Sequence, residues 1–155
     1  MKGDAVLENT KTIATNKKAF HDYNVIERFE AGIQLCGTEV KSCRDHAIQL
    51  GEGFAKIEKG QLMLYNVHIA AYGFGNRFNH QVRQVRRLLM HKKEILKLAH
   101  WLNTKGGTLI PLRFYLKQGL IKVELAYCQG KTHADQRETL RKRESENAIR
   151  RALRK

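Results

Sequence analysis

The sequence predicts a mainly β protein with added α-helices, in which an antiparallel β-barrel of the OB type precedes a basic C-terminal tail. Two stretches, residues 112–117 and 121–127, alternate between apolar and polar side chains on either side of Gln118-Gly119. Alternation with a period of two around a short turn is typical of a β-hairpin. The other observation is the composition of residues 131–155, which are rich in charge and poor in large apolar side chains. Such a segment cannot build a core of its own.

The first third of the chain predicts an arm, a strand and a short helix. Residues 1–18 are polar and show no sustained periodicity, so we expect a mobile arm before a barrel that spans residues 19–130. Residues 20–30 contain several strand-forming side chains, and a further strand piece follows around Ile33 and Leu35. Thr38 is then a suitable helix N-cap, because its hydroxyl can accept a hydrogen bond from the first turn.

The middle of the chain predicts a hairpin, a long loop and an amphipathic helix. Residues 51–57 and 61–69 form the arms of the hairpin around Glu58-Lys59-Gly60, where glycine suits a positive φ. Residues 70–82 show no clear period and predict a loop long enough to have a function. From Arg83 the pattern predicts a helix that ends at Gly106-Gly107. Its apolar stripe consists of Ile95, Leu98, Ala99 and Leu102.

The net charge points to a polyanionic partner. The 155 residues contain 29 Lys and Arg against 15 Asp and Glu, a formal charge of +14. Charge of this sign and size favours nucleic acid first and an anionic membrane surface second. No apolar run is long enough to span a membrane. Three cysteines without tight spacing suit a reducing compartment, so we expect a cytoplasmic protein.

The densest basic block lies in residues 77–93 and mixes cations with aromatic and imidazole rings. This combination favours contact with RNA phosphates and bases, although a solvated basic face is the alternative. Leu88-Leu89-Met90 within the block should supply two core residues and one exposed apolar contact, and the sequence alone leaves open which one is exposed. The block comprises Arg77, Phe78, His80, Arg83, Arg86, Arg87, His91, Lys92 and Lys93.

Catalysis and metal binding find little support in the sequence. The cysteines and histidines lack the spacing of a zinc site, and no phosphate-binding loop, dinucleotide fingerprint or nucleophile elbow is present. Glu30 and Glu39 could be paired as the carboxylates of a nuclease. A carboxylate that accepts hydrogen bonds from a base edge or from backbone is the better interpretation. We therefore expect no enzyme, no metal and no cofactor.

The tail should be disordered when free and helical when docked. Residues 131–155 contain nine Lys or Arg and four acids, and the only large apolar residues are Leu140, Ile149 and Leu153. Ordering the segment alone would cost more conformational entropy than these side chains recover. The segment nevertheless lacks Gly after residue 130 and any Pro, and it has two favourably ordered i,i+4 ion pairs, Glu138–Lys142 and Glu146–Arg150.

Four segments together resemble the bacterial small protein B family. They are NKKAFHDY (16–23), EAGIQLCGTEVKSCR (30–44), the run from Arg83 to Ile95, and IKVELAYCQGK (121–131). Members of this family bind transfer-messenger RNA (tmRNA) during ribosome rescue. The resemblance implies an OB-type barrel that cradles the tRNA-like domain of tmRNA. It also implies delivery to stalled ribosomes, with elongation factor Tu and GTP on the charged RNA, by a monomer.

The resemblance also implies roles for individual residues. It places RNA contacts at Asn16, Glu30, Leu89 and Lys122, with Leu89 as the exposed member of its triplet. The complete expected RNA-binding set is Asn16, Lys17, Glu30, Arg83, Arg86, Leu89, Lys122 and Lys131.

The tail is expected to enter the empty mRNA channel near the decoding centre and to fold there as a helix. Its ribosome-binding residues are expected to be Lys131, His133, Asp135, Arg137, Arg141, Lys142, Arg143, Arg150, Arg151, Arg154 and Lys155. Thr132, Ala134 and Gln136 depart from the family pattern, so the tail matches it less well than the barrel does. The alternative function is that of a general OB-fold RNA-binding or ribosome-associated protein.

Overall fold

The fold is described from a computed structural model, which describes residues 10–73, 79–131 and 133–154, without the side chains of residues 133–136. In chain order the elements are β1 (Thr10–Thr15), α1 (Lys17–Asp22), β2 (Tyr23–Ile33), α2 (Gly37–Arg44), β3 (Ile48–Gln49), β4 (Phe54–Glu58), β5 (Gln61–Tyr65), β6 (His68–Ile69), β7 (Arg86–Leu89), α3 (Lys92–Lys105), β8 (Thr108–Lys117), β9 (Leu120–Gly130) and α4 (His133–Leu153).

The main sheet closes into an antiparallel barrel. Its strand order is β1-β8-β4-β5-β7-β2-β9, and β9 pairs with β8 as well as with β2. The ring therefore runs β8-β4-β5-β7-β2-β9 and returns to β8, while β1 is added along β8. Between β4 and β8, Ala55 and Leu109 are the one register pair within the described residues. The fold class predicted from the sequence, a mainly β barrel with flanking helices, is confirmed.

Two apolar clusters lie on opposite sides of the barrel wall. The larger cluster fills the interior, where Phe29, Leu62 and Phe114 are buried, and Leu98 of α3 covers it from one end. The smaller cluster lies on the outer surface of β8 and β9. There α1 contributes Ala19, which packs with neighbours that include Cys128. The helices thus close one end of the barrel and cover one part of its outer wall.

Both predicted hairpins form, but the first is shorter than predicted. Its arms are Phe54–Glu58 and Gln61–Tyr65, its turn has two residues because Glu58 belongs to β4, and residues 68–69 pair with β3 instead. Lys59 and Gly60 have φ values of 49° and 75°, and Gln118 and Gly119 have values of 52° and 77°. Positive φ at both central residues is the geometry whose twist matches that of paired strands. The turns set the register Glu58↔Gln61 and Lys117↔Leu120, and this register decides which side chains face outward.

The structure differs from the predicted mobile arm. Residues 1–9 lie outside the described residues, but Thr10–Thr15 form β1, which pairs antiparallel with β8 and buries Ile13. Residues 17–22 form α1, for which Asn16 is the N-cap. The prediction failed because the partner strand lies a hundred residues away, so local composition carries no sign of the pairing.

The region after residue 83 also differs from its prediction. The helix begins at Lys92, and residues 86–89 form strand β7. Burial along β7 alternates, because Arg86 and Leu88 are buried whereas Arg87 and Leu89 are exposed. An arginine at a buried position concealed this period-two pattern. The predicted loop over residues 70–82 holds where the structure describes it, while Arg77 and Phe78 lie outside the described residues.

Two smaller differences concern the segment from β2 to α2. The strand pieces predicted on either side of Gly32 are one strand, β2, which ends at Ile33. The N-cap of α2 is Cys36 rather than Thr38, and the Glu39 carboxylate accepts from the Cys36 backbone N–H at 3.1 Å. A carboxylate at the third helical position can close a helix start in this way.

The tail is helical from His133 to Leu153, and its described side chains are exposed apart from the half-buried Lys131 and Thr139. This agrees with its predicted capacity to form a helix. Disorder of the free tail stays a prediction. The Lys131 ammonium donates to the Phe20 carbonyl at 2.9 Å and to the Thr139 hydroxyl at 3.1 Å, which fixes the start of the tail beside α1.

Candidate nucleic-acid interface

A row of four residues crosses the outer wall of the barrel. Leu89 of β7 pairs with Gly32 of β2, Gly32 pairs with Lys122 of β9, and Lys122 pairs with Tyr115 of β8. Directly opposed residues in a sheet point to the same side, so these residues share one surface. Leu89 is 50% exposed whereas Leu88 is 1% exposed. Leu89 is therefore the exposed leucine of its triplet, at the position that the family resemblance implied.

The Leu89 side chain packs closely over Gly32. A Cβ at Gly32 would stand 3.4 Å from the Leu89 Cβ and 3.7 Å from its Cδ1. The leucine side chain thus covers the glycine backbone instead of standing away from it. Leu89 and Lys122 therefore lie on either side of Gly32 on the outer wall.

Glu30 lies on the same side of β2, two residues before Gly32. Its carboxylate accepts from the Tyr115 hydroxyl at 2.5 Å and from the Lys117 ammonium at 3.2 Å. Burial raises the pKa of Glu30, but the hydrogen bonds from Tyr115 and Lys117 outweigh it, and the net pKa is lowered. Glu30 is therefore ionised at neutral pH. It remains partly exposed and can accept further hydrogen bonds.

Tyr115 is the centre of this polar group. Burial and the Glu30 carboxylate both raise the pKa of its hydroxyl, so the phenol keeps its proton and acts as a donor. The Arg113 guanidinium lies 4.4 Å from the Tyr115 ring centroid and donates to Glu124 at 2.8 Å. Arg28 donates to the other Glu124 oxygen at 3.1 Å.

The acids therefore hold the cations in place on this part of the wall. We call it the Leu89–Lys122 face; its members are Arg28, Glu30, Leu89, Arg113, Tyr115, Lys117, Lys122 and Glu124.

Sequence reasoning missed five residues of this face, and three of them, Arg113, Tyr115 and Lys117, lie on β8. Their outward orientation could have been read from the alternation of residues 112–117. Their position beside Lys122 follows from the turn at Gln118-Gly119, which sets the pairing of β8 with β9. The signal was present, but it needed the strand register in addition to residue type.

Two other predicted RNA contacts are exposed. Lys17 lies at the start of α1, and Arg83 lies in the segment that leads into β7. Lys131 is half-buried and is engaged by Phe20 and Thr139. Lys17 and Arg83 are therefore open to a partner from solvent, whereas the Lys131 ammonium is already engaged within the protein.

Asn16, which was predicted to contact RNA, lies in the interior of the protein, and its RNA contact stays a prediction. Asn16 is buried, and its amide nitrogen donates to the carbonyls of Leu50 at 3.3 Å and Pro111 at 3.0 Å. Its carbonyl oxygen accepts from the Ala19 backbone N–H at 3.1 Å. With both amide hydrogens donated within the protein, Asn16 fixes the start of α1 against the barrel.

Arg86, which was also predicted to contact RNA, is buried as well, and its RNA contact stays a prediction. Its side chain is 1% exposed and forms an ion pair with Glu39. The guanidinium also donates to the carbonyls of Val67 at 2.8 Å and Val82 at 3.0 Å. Arg86 therefore links Glu39 of α2 to two other segments, the turn after β5 at Val67 and the loop before β7 at Val82. Its side chain is almost entirely enclosed by these partners.

Glu39 is likewise committed to the interior. In addition to Arg86, its carboxylate accepts from the Gln84 amide at 2.9 Å and from the Cys36 backbone N–H. Burial raises the pKa of Glu39, but the donors around it, Arg86 first, bring the net pKa below its usual value. Glu39 is thus a buried structural carboxylate, while Glu30 belongs to the outer face. This arrangement gives no support to the two acids as a hydrolytic pair.

The tail offers a second, separate set of cations. Six of its predicted residues, Arg137, Arg141, Lys142, Arg143, Arg150 and Arg151, are exposed on α4, and Arg154 is exposed just after the helix ends. His133 and Asp135 are described only as helical backbone, and Lys155 lies outside the described residues. Within the residues described, no group of three potential metal ligands occurs, and no helix is long and apolar enough to cross a membrane.

Comparison with known proteins decides the family. The family model for "SmpB protein" matches residues 13–155. This chain belongs to the SmpB family. A curated SsrA-binding protein of Carboxydothermus hydrogenoformans is 50% identical over 144 residues, which cover 93% of this chain and 97% of the relative. An SsrA-binding protein of Latilactobacillus sakei is 51% identical over 143 residues, 92% of each chain.

The SmpB family assignment extends to a solved structure. A chain described as "tmRNA-SmpB: a journey to the center of the bacterial ribosome" matches with a TM-score of 0.65 and 40% identity. The match covers 83% of this chain and 94% of the solved chain. Sequence and fold therefore agree on the same family over most of the chain.

Proposed function

We propose that this chain binds tmRNA and serves as the adaptor of trans-translation, bringing tmRNA to stalled ribosomes. The observation that carries the proposal is the Leu89–Lys122 face, in which an exposed leucine, a lysine and an ionised glutamate lie side by side in a member of the SmpB family. Relatives that are about half identical carry the name SsrA-binding protein. The related solved chain is described with tmRNA and the ribosome.

The face offers three kinds of contact that folded RNA accepts. Lys122 supplies a cation for a phosphate, Leu89 supplies an apolar surface for a base or sugar, and Glu30 accepts hydrogen bonds from base amino groups or the 2′-hydroxyl. Charge alone would bind any RNA, so Leu89 and Glu30 are the groups that would select a shape. Lys17 and Arg83 would extend the contact along the backbone of the RNA.

The tail would act on the ribosome rather than on tmRNA. Its exposed cations suit ribosomal RNA, and its helix matches the shape expected in an empty mRNA channel. Elongation factor Tu with GTP would join through the charged tmRNA, without touching this chain directly. We further propose a cytoplasmic monomer without catalytic activity.

Tail removal tests this division of labour. Deleting residues 132–155 keeps Lys131 and its bonds to Phe20 and Asp22 of α1, and removes only its bond to Thr139 of α4. The truncated protein should bind the tRNA-like domain with nearly unchanged affinity and should fail to support tagging on stalled ribosomes. A large loss of affinity would show that the tail belongs to the tmRNA site instead.

A general RNA-binding function is the second candidate, favoured by the net charge of +14. Competition at physiological salt separates the two. Electrostatic binding weakens alike for all RNAs as salt rises, because it depends on counterion release. An adaptor should retain tmRNA in the presence of unrelated structured RNA, and should lose this preference when Leu89 and Glu30 are changed to Ala. Equal displacement by any structured RNA would favour the general function.

A further inference from the structure

A second outward-facing feature lies on the hairpin of β4 and β5, away from the Leu89–Lys122 face. Phe54 and Tyr65 are register partners, and their rings stack with centroids 5.3 Å apart and planes 7° apart. The next residues, Ala55 and Leu64, are buried in the core. Because side chains alternate along a strand, the two rings point outward. We call this pair the aromatic platform.

The platform is held in place within the protein. Phe54 packs against the outer apolar cluster beneath α1. The Tyr65 hydroxyl donates a hydrogen bond to the Glu58 carboxylate. Both rings are nevertheless half-exposed. Since the rings are already ordered, a planar ligand could stack on them at little cost in side-chain entropy.

Cations accompany the platform. The Lys56 ammonium lies 5.5 Å from the Phe54 ring centroid and 5.7 Å from that of Tyr65. Lys56 pairs with Met63, and Met63 pairs with Arg87 on β7. Lys56 and Arg87 are exposed. A ligand on the rings would therefore meet positive charge on the side that leads toward β7.

A groove continues from this row of residues. It has a volume of about 490 Å³, and Met63 and Arg87 lie in its wall together with Gln34, Gln84 and Val85. The paired Glu39 and Arg86 also line it, and their charges offset each other. The amide side chains offer donors and acceptors, Val85 offers an exposed apolar surface, and Arg87 offers charge. Aromatic stacking, cations that follow a chain and a polar groove are together the requirements of unpaired RNA.

We propose that the aromatic platform stacks an unpaired base of RNA, with Lys56 and Arg87 on the adjoining phosphates. The proposal rests on the proposed RNA-binding function and adds a site to it. Leu62 of β5 pairs with Leu88 of β7, so the same register brings Gln61 beside Leu89. Tyr65 lies four residues further along β5 than Gln61. At about 3.3 Å per residue the platform is about 13 Å from Leu89 along the strand. The two sites could therefore hold different parts of the RNA at the same time.

The test uses the full-length protein and a short oligoadenylate RNA, with an abasic oligonucleotide of equal length as the charge control. Fluorescence anisotropy measures both affinities, and NMR measures contacts between the rings of Phe54 and Tyr65 and the adenine protons. Tyr65→Leu should weaken oligoadenylate binding about fivefold or more and leave abasic binding unchanged. Tyr65→Phe keeps the ring and should bind as the unchanged protein does. Lys56→Ala should weaken both oligonucleotides and reduce the salt slope by about one.

Two results would overturn the platform as an RNA site. One is equal oligoadenylate binding by Tyr65→Leu and the unchanged protein, with no ring-to-base contacts, which would leave the rings with a role in hairpin stability alone. The other is a ring surface that binds a ribosomal protein in NMR titrations and ignores the oligonucleotide. In either case, if the protein still bound tmRNA, only the platform would be refuted and the proposed function would be unaffected. If the unchanged protein bound no RNA at all, the proposed function itself would be refuted.

Discussion

Replacing Arg86 with Met should lower the unfolding temperature markedly while the folded protein keeps its affinity for RNA. Arg86 and Arg87 are neighbours on one strand, but their side chains lie on opposite sides of the barrel wall. Methionine keeps most of the length of the arginine stem and removes the charge and its donors. The substitution therefore leaves Glu39 as a buried carboxylate without its ion-pair partner.

The magnitude follows from the contacts of Arg86. Removing one partner of a buried ion pair costs about 3–5 kcal/mol, because the remaining charge stays buried without compensation. The carbonyls of Val67 and Val82 lose their donor in the same change. For a chain of this size, each kcal/mol lowers the unfolding temperature by about 2–4 °C. The expected decrease is therefore about 6–20 °C.

The assay pairs thermal unfolding by circular dichroism with RNA binding at low temperature over a series of salt concentrations. Arg87→Met is the matched control. It should change stability by no more than about 0.5 kcal/mol, since its side chain is exposed. It should instead weaken RNA binding and reduce the salt slope by about one. The double variant Glu39→Gln with Arg86→Met should recover part of the lost stability, because no buried charge remains.

The reverse pattern would refute the reasoning. If Arg86→Met unfolded at the temperature of the unchanged protein and bound RNA with a smaller salt slope, Arg86 would be a surface cation in solution. Arg86 would then contact RNA directly, and its pair with Glu39 would contribute nothing to stability.

Three further predictions concern single positions in the barrel. Leu88→Ala should cost about 2–5 kcal/mol in chemical denaturation, whereas Leu89→Ala should barely change stability and should weaken tmRNA binding. Gly107→Ala should destabilise more than Gly119→Ala, because φ is positive at both but a Cβ at Gly107 would lie 2.7 Å from a backbone carbonyl oxygen; equal midpoints in urea would contradict this. The pKa of Glu30 is lowered in the folded state, so its ionised form stabilises the protein above its usual pKa of 4.5 and this contribution is lost as pH falls through the folded pKa. Glu30→Gln should therefore flatten the decrease in melting temperature below about pH 4.5, and an unaltered acid profile would show that the bonds from Tyr115 and Lys117 add no stability.

Features that depend on neighbouring residues could be predicted from the sequence. The hairpins follow from Lys59-Gly60 and Gln118-Gly119, where turn residues separate alternating strands. The helical capacity of the tail follows from its ion pairs and the absence of Gly and Pro. Leu89 needed more than local pattern, since Leu88 and Leu89 are chemically alike. The family resemblance identified the exposed one, and the structure agrees.

Features that depend on distant partners could not be predicted. Arg86 looks like its exposed neighbours, and its burial is set by Glu39, which lies 47 residues earlier. Asn16 looks like a surface polar residue until Pro111 approaches it from β8. Strand β1 contains a single large apolar side chain, Ile13, and exists because β8 offers it an edge. In each case the deciding contact is long-range, so residue type and local period carry no record of it.

The hydrogen bond from Lys131 to the Phe20 carbonyl fixes the base of the tail, and this affects how the rest of α4 can move. A helix of 21 residues is about 32 Å long, so small rotations at its base become large displacements at its far end. A turn of about 10° at Lys131 would move the tip by about 5–6 Å, roughly one helical pitch. Because the base is attached to α1, and α1 is held to the barrel by Asn16, the barrel and the base of the tail form a pivot with a long lever arm. How widely the orientation of α4 can vary then depends on how firmly α1 packs on the barrel wall.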